Sequence, residues 1–182
     1  MNVEAFSKTK VGKVTVKFLA KAMESRFRYR FFNANRILQN VNNLTGQNVL
    51  EVGCGTGFFT IPIAHLIGDQ GSLTSIDIIQ ESVDFVSKKV DDTKLKNVKI
   101  LKRNVLKTDF QSNSFHIVIL FGVIPAPMLP LNKVLQEIHR VLKSDGILVI
   151  WPSFRWLPRS IKKSGLFTYL NKKGKVYNFK KK

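Results

Sequence analysis

The sequence has few of the residues on which several classes of protein depend. It contains one cysteine, Cys54, among 182 residues. A single cysteine excludes an intramolecular disulfide and every zinc site built on several thiolates, and no metal site is predicted. No uninterrupted apolar run reaches the roughly 18 residues that a membrane-spanning helix needs. Residues 1–10 also lack the apolar segment of a secretory signal peptide. Together these absences predict a cytoplasmic protein.

Acidic residues are scarce, and the imbalance differs along the chain. There are 30 Lys and Arg against 12 Asp and Glu, a net charge of +18. Residues 1–44 hold nine basic and two acidic residues, residues 45–152 hold eleven and ten, and residues 153–182 hold ten and none. Basic flanks around a neutral centre favour a polyanionic partner, either nucleic acid or an anionic membrane surface. The alternative is a solvated surface that serves only solubility.

Both flanks contain patterned basic segments. Residues 11–23 predict a basic amphipathic helix, with Lys13, Lys17 and Lys21 on one face. The following run R-F-R-Y-R-F-F, residues 26–32, alternates arginine with aromatic residues. At the other end, residues 155–163 predict a short helix. Residues 167–179 predict a β-hairpin with its turn at N-K-K-G.

Apolar strands and helices alternate through the neutral centre. Strands are predicted at 48–52, 73–76, 98–101, 115–121 and 147–151, the last beginning after Gly146, and helices at 58–67, 80–90 and 130–142. Most of these strands are continuously apolar, as expected where helices cover both faces of a parallel sheet. The alternation predicts a doubly wound α/β fold.

No repeat or low-complexity linker divides the chain. We therefore expect one domain over residues 1–182. It has a basic N-terminal helical cap at 1–44, a ligand-binding core at 45–152, and a basic C-terminal helix and hairpin at 153–182.

A glycine-rich loop follows the first strand. Gly53, Gly55 and Gly57 stand between that strand and the next helix. Glycine adopts positive φ and lets a ligand approach the backbone, and the helix start offers unpaired N–H groups. In open α/β sheets, ligands bind at the carboxyl ends of the strands. The dinucleotide fingerprint G-x-G-x-x-G requires glycine at position 58, where this chain has Phe58. The spacing therefore disfavours a nicotinamide oxidoreductase.

Two motifs resemble a known family. The run V-L-E-V-G-C-G-T-G-F-F-T, residues 49–60, resembles motif I of class I, S-adenosylmethionine-dependent methyltransferases. The run E-I-H-R-V-L-K-S-D-G-I-L-V-I, residues 137–150, is similar to a helix and the fifth strand of the family's small-molecule branch. The resemblance covers about residues 45–152. It implies S-adenosylmethionine as the cofactor and a mostly parallel seven-stranded sheet with helices on both faces. The antiparallel C-terminal hairpin supplies strands six and seven.

The resemblance also implies which residues bind the cofactor. The glycine loop and Glu51 would hold the methionine part, and Asp77 would accept two hydrogen bonds from the ribose hydroxyls. Asn104 stands where the family often has an acid that contacts the adenine amino group, and an amide oxygen can accept the same bond. The expected cofactor-binding residues are Glu51, Gly53, Cys54, Gly55, Gly57, Asp77, Ile78, Asn104, Val105 and Phe121.

The sequence says less about the methyl acceptor and the catalytic residues than about the cofactor. SN2 methyl transfer depends mainly on alignment and needs no dedicated base in every enzyme. No catalytic residue is identified; Tyr29 and His116 are candidate bases, although a histidine at a strand start is more often structural. Residues 121–130, F-G-V-I-P-A-P-M-L-P, replace the tetrapeptide with which amine-methylating relatives grip their substrate. This apolar segment between basic flanks predicts a small or amphiphilic acceptor, lipid or quinone-like, at a membrane surface. Alternatively, its apolar residues belong to the core.

Two other functions remain open from the sequence. The run R-F-R-Y-R-F-F can bind phosphates and stack bases, which suits an RNA methyltransferase that uses its basic flanks. A non-catalytic binding protein that keeps the fold is the other alternative. The oligomeric state is not predicted.

Overall fold

The computed structural model describes residues 33–123, 129–151 and 156–182. Within these ranges the helices are α1 (Ala34–Leu38), α2 (Thr60–Ile67), α3 (Gln80–Asp92), α4 (Leu131–Val141) and α5 (Leu157–Lys163). The strands are β1 (Asn48–Val52), β2 (Ser72–Asp77), β3 (Val98–Lys102), β4 (Phe115–Phe121), β5 (Leu142–Trp151), β6 (Phe167–Lys173) and β7 (Val176–Lys181). The predicted amphipathic helix at 11–23 and the run at 26–32 lie outside the described residues.

All seven strands form one sheet in the order β3-β2-β1-β4-β5-β7-β6. Strands β1 to β5 pair in parallel, whereas β7 runs antiparallel to both β5 and β6. This confirms the predicted α/β fold with a mostly parallel seven-stranded sheet and a C-terminal antiparallel hairpin. The strand order reverses direction between β1 and β4, and a crevice for a ligand forms at such a switch point.

The central strands bury both faces of the sheet. In β1, Val49 packs into a core cluster with α1 and α2, whereas its neighbour Leu50 packs into a second cluster with α4 and α5. Successive strand side chains point to opposite faces, so an apolar run divides itself between two helical layers. This is why the central strands read as continuous apolar segments. None of the helices in the described ranges has the length and apolarity of a membrane span.

Strand β5 begins five residues earlier than predicted, at Leu142 rather than after Gly146. In its pairing with β4, Phe115 is opposite Leu142 and Ile117 is opposite Ile147. Residues 143–146 therefore form a polar bulge that interrupts the pairing. A Cβ on Gly146 would lie 2.9 Å from the Lys143 carbonyl oxygen, so only glycine fits this tight return. The apolar pattern could not reveal a strand that starts before a polar bulge.

The hairpin turn is also displaced from its predicted place. Lys173 pairs with Val176, so the turn consists of Gly174 and Lys175 rather than N-K-K-G. Gly174 has φ +55°, which suits a two-residue hairpin turn. Leu170 is an extra residue between the paired positions Tyr169 and Asn171, and this bulge shifts the register of β6.

The connection from β3 to β4, residues 103–114, crosses the sheet without a helix. Glu137 on α4 holds it in place. Its Oε1 accepts from the Thr108 backbone N–H at 2.9 Å and from the Thr108 hydroxyl at 2.6 Å. Arg140 donates to both Glu137 oxygens and to the Phe110 carbonyl oxygen. These two residues of the E-x-x-R motif therefore anchor a loop that reaches the ligand crevice.

Glu137→Gln is expected to lower the free energy of unfolding by about 2 kcal/mol, because it weakens hydrogen bonds to a charged group. The bond from Arg140 lowers the pKa of Glu137 to about 2. The carboxylate's stabilisation is therefore complete above its unfolded pKa near 4.5 and is lost as the pH falls towards 2. Urea unfolding at pH 7 and below pH 4 should show the difference shrinking at low pH. Glu81→Gln, at an exposed site, is the control, and an equal effect there would contradict the prediction.

Candidate cofactor-binding site

The glycine loop turns at the carboxyl end of β1. Gly53, Gly55 and Gly57 have φ values of +80°, +53° and +78°. The backbone N–H groups of Gly53 and Cys54 donate to the Ile76 carbonyl oxygen of β2, at 2.7 and 3.2 Å. These two hydrogen bonds attach the loop to the neighbouring strand β2, at the point where the chain turns towards α2. These three positive φ values explain why glycine occupies each alternate position.

The first glycine also leaves space for a neighbouring loop. A Cβ on Gly53 would lie 2.5 Å from Cγ2 of Val123, which follows the end of β4. The ends of β1 and β4 therefore approach each other more closely than a side chain at position 53 would allow. Phe58, at the point where a dinucleotide site would need glycine, is buried and packs edge-on against Phe59 at 4.8 Å.

Asp77 ends β2 opposite the glycine loop. Its Oδ2 accepts from the Gly55 backbone N–H at 3.0 Å, and its Oδ1 accepts from the Ile79 backbone N–H at 3.0 Å. Burial raises the pKa of Asp77, while these backbone hydrogen bonds oppose the rise. Oδ2 also accepts from the Cys54 thiol, whereas Oδ1 keeps a further lone-pair direction with which it can accept another donor. The side chain can therefore organise the loop and bind a ligand hydroxyl at the same time.

A cavity of about 520 Å³ opens where these elements meet. Seven of the ten predicted cofactor-binding residues line it: Gly53, Gly55, Asp77, Ile78, Asn104, Val105 and Phe121. Glu51, Cys54 and Gly57 lie nearby in the chain but are not lining residues. The lining also includes Val52, Ile76, Ile79, Arg103, Gly122, Val123 and Leu129, which sequence reasoning missed. Most of these flank strand ends, the signal by which they could have been found.

Glu51 is buried within the sheet rather than in the cavity lining. The hydroxyls of Ser75 and Thr60 both donate to its Oε2, at 2.5 and 2.7 Å. Ser75 is the register partner of Glu51 on β2. Burial raises the pKa of Glu51 to about 7, the two hydroxyls oppose this rise, and the nearby Asp77 adds to it. The direct contact with the methionine part that the resemblance implies stays a prediction.

Glu51→Gln is expected to stabilise the protein at pH 8. The unfolded carboxyl titrates near 4.5 and the folded one near 7, so the folded state binds the proton more tightly and loses stability as the pH rises between these values. Above pH 7 the buried charge costs on the order of 3 kcal/mol, which the neutral amide avoids. Urea unfolding should show the gain at pH 8 and little difference at pH 5. Equal or lower stability of the variant at pH 8 would contradict this.

Cys54 is a buried thiol beside Asp77. Its Sγ lies 3.9 Å from Asp77 Oδ2, to which it donates. Burial raises the pKa of the Cys54 thiol far above its usual range, and the carboxyls of Asp77 and Glu51 raise it further. The side chain therefore stays a neutral thiol at physiological pH, and its place in the loop is structural rather than nucleophilic.

Asn104 lies on the far side of the cavity. Its Oδ1 accepts from the Leu106 backbone N–H at 2.9 Å, which closes a local turn. The amide oxygen keeps a second lone pair with which it can accept a bond from a ligand amino group. The buried Val105 follows it and contributes apolar lining. The contact with adenine that the resemblance implies for Asn104 stays a prediction.

Four aromatic rings pack beside the cavity. Phe59 contacts Phe58, Phe121 and Trp151 edge-on, with centroid distances of 4.8, 4.9 and 5.7 Å. Phe121 ends β4 and lines the cavity, and Trp151 ends β5. The cluster makes a rigid apolar wall at the carboxyl edge of the sheet. The predicted apolar segment after β4 is described only at its ends, because residues 124–128 lie outside the described ranges.

The two candidate bases are not brought to this cavity by the described residues. His116 lies at the start of β4, so it is at the amino ends of the parallel strands, whereas the cavity lies at their carboxyl ends. Its Nδ1 accepts from the Asn48 backbone N–H at 2.9 Å, and its Nε2 lies 2.8 Å from Lys143 Nζ. Burial and the charge of Lys143 lower the pKa of His116. It lines a separate cavity of about 700 Å³ that shares no residue with the first. Tyr29 lies outside the described residues.

The comparisons with known proteins agree with this geometry. A family model described as a methyltransferase domain matches residues 43–178, which include the glycine loop and Asp77. The chain belongs to the methyltransferase-domain family. The glycine loop and the fold indicate the same family, the class I methyltransferases whose cofactor is S-adenosylmethionine.

Similar proteins fall in the same family. The demethylmenaquinone methyltransferase of Geobacillus stearothermophilus is 33% identical over 114 residues, which are 62% of this chain and 48% of that protein. The one from Listeria welshimeri is 36% identical over 104 residues, 57% of this chain and 43% of that protein. The chain thus spans about half the length of the curated relatives it matches. An S-adenosylmethionine-dependent methyltransferase from Aquifex aeolicus shares the fold. It has a TM-score of 0.76 and 23% identity, covering 89% of this chain and 95% of that one.

The described residues fit this cofactor. The cavity volume of about 520 Å³ falls in the range of small-molecule sites. Gly53 leaves the loop without a side chain beside Val123, and the Asp77 carboxylate lines the cavity next to the loop. Ile78, Ile79, Val105 and Leu129 add apolar surface for a flat ring. Which of these residues touch which part of the cofactor is a proposal.

Proposed function

We propose that this protein transfers a methyl group from S-adenosylmethionine to a small, lipophilic acceptor of the quinone type. Its membership of the methyltransferase-domain family supports the reaction. The similarity to demethylmenaquinone methyltransferases supports the acceptor class. The observation that carries the proposal is the cavity that the glycine loop and Asp77 line together at the switch point of the sheet.

The residues around the cavity divide into a polar and an apolar side. The glycine loop offers backbone N–H groups near the start of α2, and the Asp77 carboxylate accepts from the ribose hydroxyls. The Asn104 amide recognises the adenine edge, between the side chains of Ile78 and Val105. When bound, S-adenosylmethionine supplies an electrophilic methyl group on a sulfonium centre. The protein's part is to hold the acceptor in line with that group and to exclude water.

Phe121 supplies an aromatic wall on the acceptor side, and the buried rings of Phe59 and Trp151 pack behind it. Of the described lining residues, only Asp77 and Arg103 carry ionisable side chains, and Asp77 is committed to the loop. An acceptor that supplies its own electron-rich carbon or acidic hydroxyl needs no protein base. A hydroquinone ring has both, and its flat apolar surface suits an aromatic wall. A cytoplasmic location with peripheral membrane binding stays a prediction.

The proposal is tested by calorimetric titration followed by a transfer assay. Titration with S-adenosylmethionine and S-adenosylhomocysteine should give micromolar dissociation constants, and nicotinamide cofactors should give no heat. Incubation with labelled cofactor and a demethylated naphthoquinol should then transfer the label, while a short RNA should stay unlabelled. Cofactor binding without transfer to any acceptor would favour a non-catalytic binding protein. Absence of cofactor binding would refute the proposed function.

A further inference from the structure

Basic and apolar side chains concentrate on α5 and on both faces of the β6–β7 hairpin, whose strand β6 is an edge strand of the sheet. From Trp156 to Lys182 the chain has nine Lys and Arg and no acidic residue. Among the described residues, three of the five exposed large apolar side chains lie here: Trp156 at 46% exposure, Leu170 at 39% and Tyr169 at 37%. The basic hairpin surface, as we name it, consists of Trp156, Arg159, Lys162, Lys163, Tyr169, Leu170, Lys172, Lys173 and Lys175.

The positive charge of this surface has little compensation from acids. Among the ion pairs of the described residues, the one that involves α5 or the hairpin joins Lys180 to Asp145 at 2.6 Å. Lys180 is outside the basic hairpin surface. Lys162 instead lies over the Tyr169 ring, 4.7 Å from its centroid, and Lys172 lies over Tyr177 at 5.1 Å. The cations thus stand beside aromatic rings and keep their charge available to a partner.

The surface reaches the edge of the sheet that carries the candidate site. Tyr177 pairs with Ile150 near the end of β5, so the turn at Gly174 and Lys175 lies at the carboxyl edge. Lys175 lines a cavity of about 360 Å³ together with Arg36 of α1 and Trp151 of the aromatic cluster. One lysine of the hairpin therefore lines an opening beside the aromatic cluster, at the same edge of the sheet as the candidate site.

We infer that the basic hairpin surface docks on an anionic lipid membrane, with the carboxyl edge of the sheet facing the lipid. Lysine and arginine are attracted to anionic headgroups, and tryptophan and tyrosine favour the membrane interface. Leu170 and Trp156 supply apolar contacts below the headgroups. The purpose of docking rests on the proposed function, because a lipid-soluble acceptor is delivered from the membrane. The docking itself is measurable without cofactor or acceptor.

RNA fits the same surface less well. Binding of single strands relies on exposed aromatic faces on which bases stack. One face of Tyr169 is covered by Lys162, and the ring packs edge-on against Phe179 with a centroid distance of 5.8 Å. Leu170 is aliphatic and has no stacking face. The exposed ring of Trp156 suits either partner, whereas the covered tyrosine and the exposed leucine favour lipid.

The experiment measures co-sedimentation of the full chain with two kinds of vesicle. One is phosphatidylcholine alone, and the other is an equal mixture of phosphatidylcholine and phosphatidylglycerol. The test variant combines Lys172→Glu, Lys173→Glu and Lys175→Glu. The matched control combines Lys88→Glu, Lys96→Glu and Lys99→Glu. These exposed residues lie on or near β3, the edge strand at the other end of the strand order from β6. Both variants change the net charge equally, and circular dichroism verifies their fold.

The protein should partition onto the anionic vesicles and not onto phosphatidylcholine alone. Each lysine near the surface contributes about fivefold, and each glutamate adds repulsion, so the test variant should bind at least about 100-fold more weakly, whereas the control should change by less than about tenfold. Leu170→Ser should weaken binding without changing the charge. Equal losses in both triple variants would overturn the inference, as would equal binding to the two kinds of vesicle. Tighter binding of a short RNA than of anionic vesicles would also overturn it. Cofactor titration of the same variants separates failure of docking from failure of the proposed function.

Discussion

Asp77→Ala should reduce the affinity for S-adenosylmethionine by at least about a hundredfold, the largest loss that we expect from one substitution. The carboxylate would lose two hydrogen bonds from the ribose, each worth about 1.5–3 kcal/mol because the acceptor is charged. The change also frees the N–H groups of Gly55 and Ile79, which the two oxygens hold at 3.0 Å. Calorimetric titration with S-adenosylmethionine and S-adenosylhomocysteine measures the loss for both ligands.

Two further variants separate the ribose contact from a general change of charge. Asp84→Ala removes an exposed carboxylate on α3 that accepts from the Gln80 side chain at 2.7 Å, and it should leave the affinity unchanged. Asp77→Asn keeps the shape of the side chain, but its NH₂ group faces one of the two backbone N–H donors. Its affinity for the cofactor should therefore lie between those of the wild type and Asp77→Ala. Wild-type affinity in Asp77→Ala would show that the cavity holds the cofactor differently from our proposal.

Gly53→Ala should lower the cofactor affinity by about ten- to a hundredfold and the stability by about 1–2 kcal/mol. The stability loss follows from a side chain at φ +80°, a left-handed conformation that costs this much outside glycine. The affinity loss follows from the Cβ, which would lie 2.5 Å from Val123 Cγ2 and force that side chain into the cavity. Titration and urea unfolding of the same preparation measure the two effects separately.

Gly68→Ala is the matched control for Gly53→Ala. Gly68 has φ +67°, so alanine also meets backbone strain at a positive φ there, but no atom lies within 4 Å of its Cβ position. It should lose stability and keep its cofactor affinity. Adding Val123→Ala to Gly53→Ala should restore part of the affinity, because it removes the methyl group that the new Cβ strikes. If the double variant binds no better than Gly53→Ala alone, the steric account is wrong.

The central strands were predictable because a physical rule ties them to the sequence. Strands β1 and β4 were predicted to the residue, since burial on both faces demands an apolar side chain at nearly every position. The start of β5 was not, because Lys143, Ser144 and Asp145 bulge out of the ladder and read as a loop. The hairpin turn was misplaced for a similar reason, since a bulge at Leu170 moves the register by one residue.

Some residues of the candidate site were likewise predictable from strand patterns, and others were not. The glycine loop and Asp77 follow directly from strand ends, because the carboxyl ends of neighbouring parallel strands meet at one edge. The contact between Glu51 and Ser75 depends on the register of β1 with β2, which no pattern in one strand reveals. Val123 and Leu129 come from a loop whose path the apolar pattern leaves open. The distance of His116 from the site is also predictable from the sequence, since the start of β4 lies at the amino ends of the parallel strands and the site at their carboxyl ends.

The position of β7 has a consequence for the newly made chain. Strand β7 lies between β5 and β6, although both precede it in the sequence. During synthesis, therefore, the outer edge of β5 stays without its partner until β6 and the turn after it have left the ribosome. An apolar strand with an open edge is a template for pairing with another chain. Slow or interrupted translation of the hairpin would thus leave an otherwise folded core prone to aggregation, and early chaperone binding should centre on Ile147–Ile150.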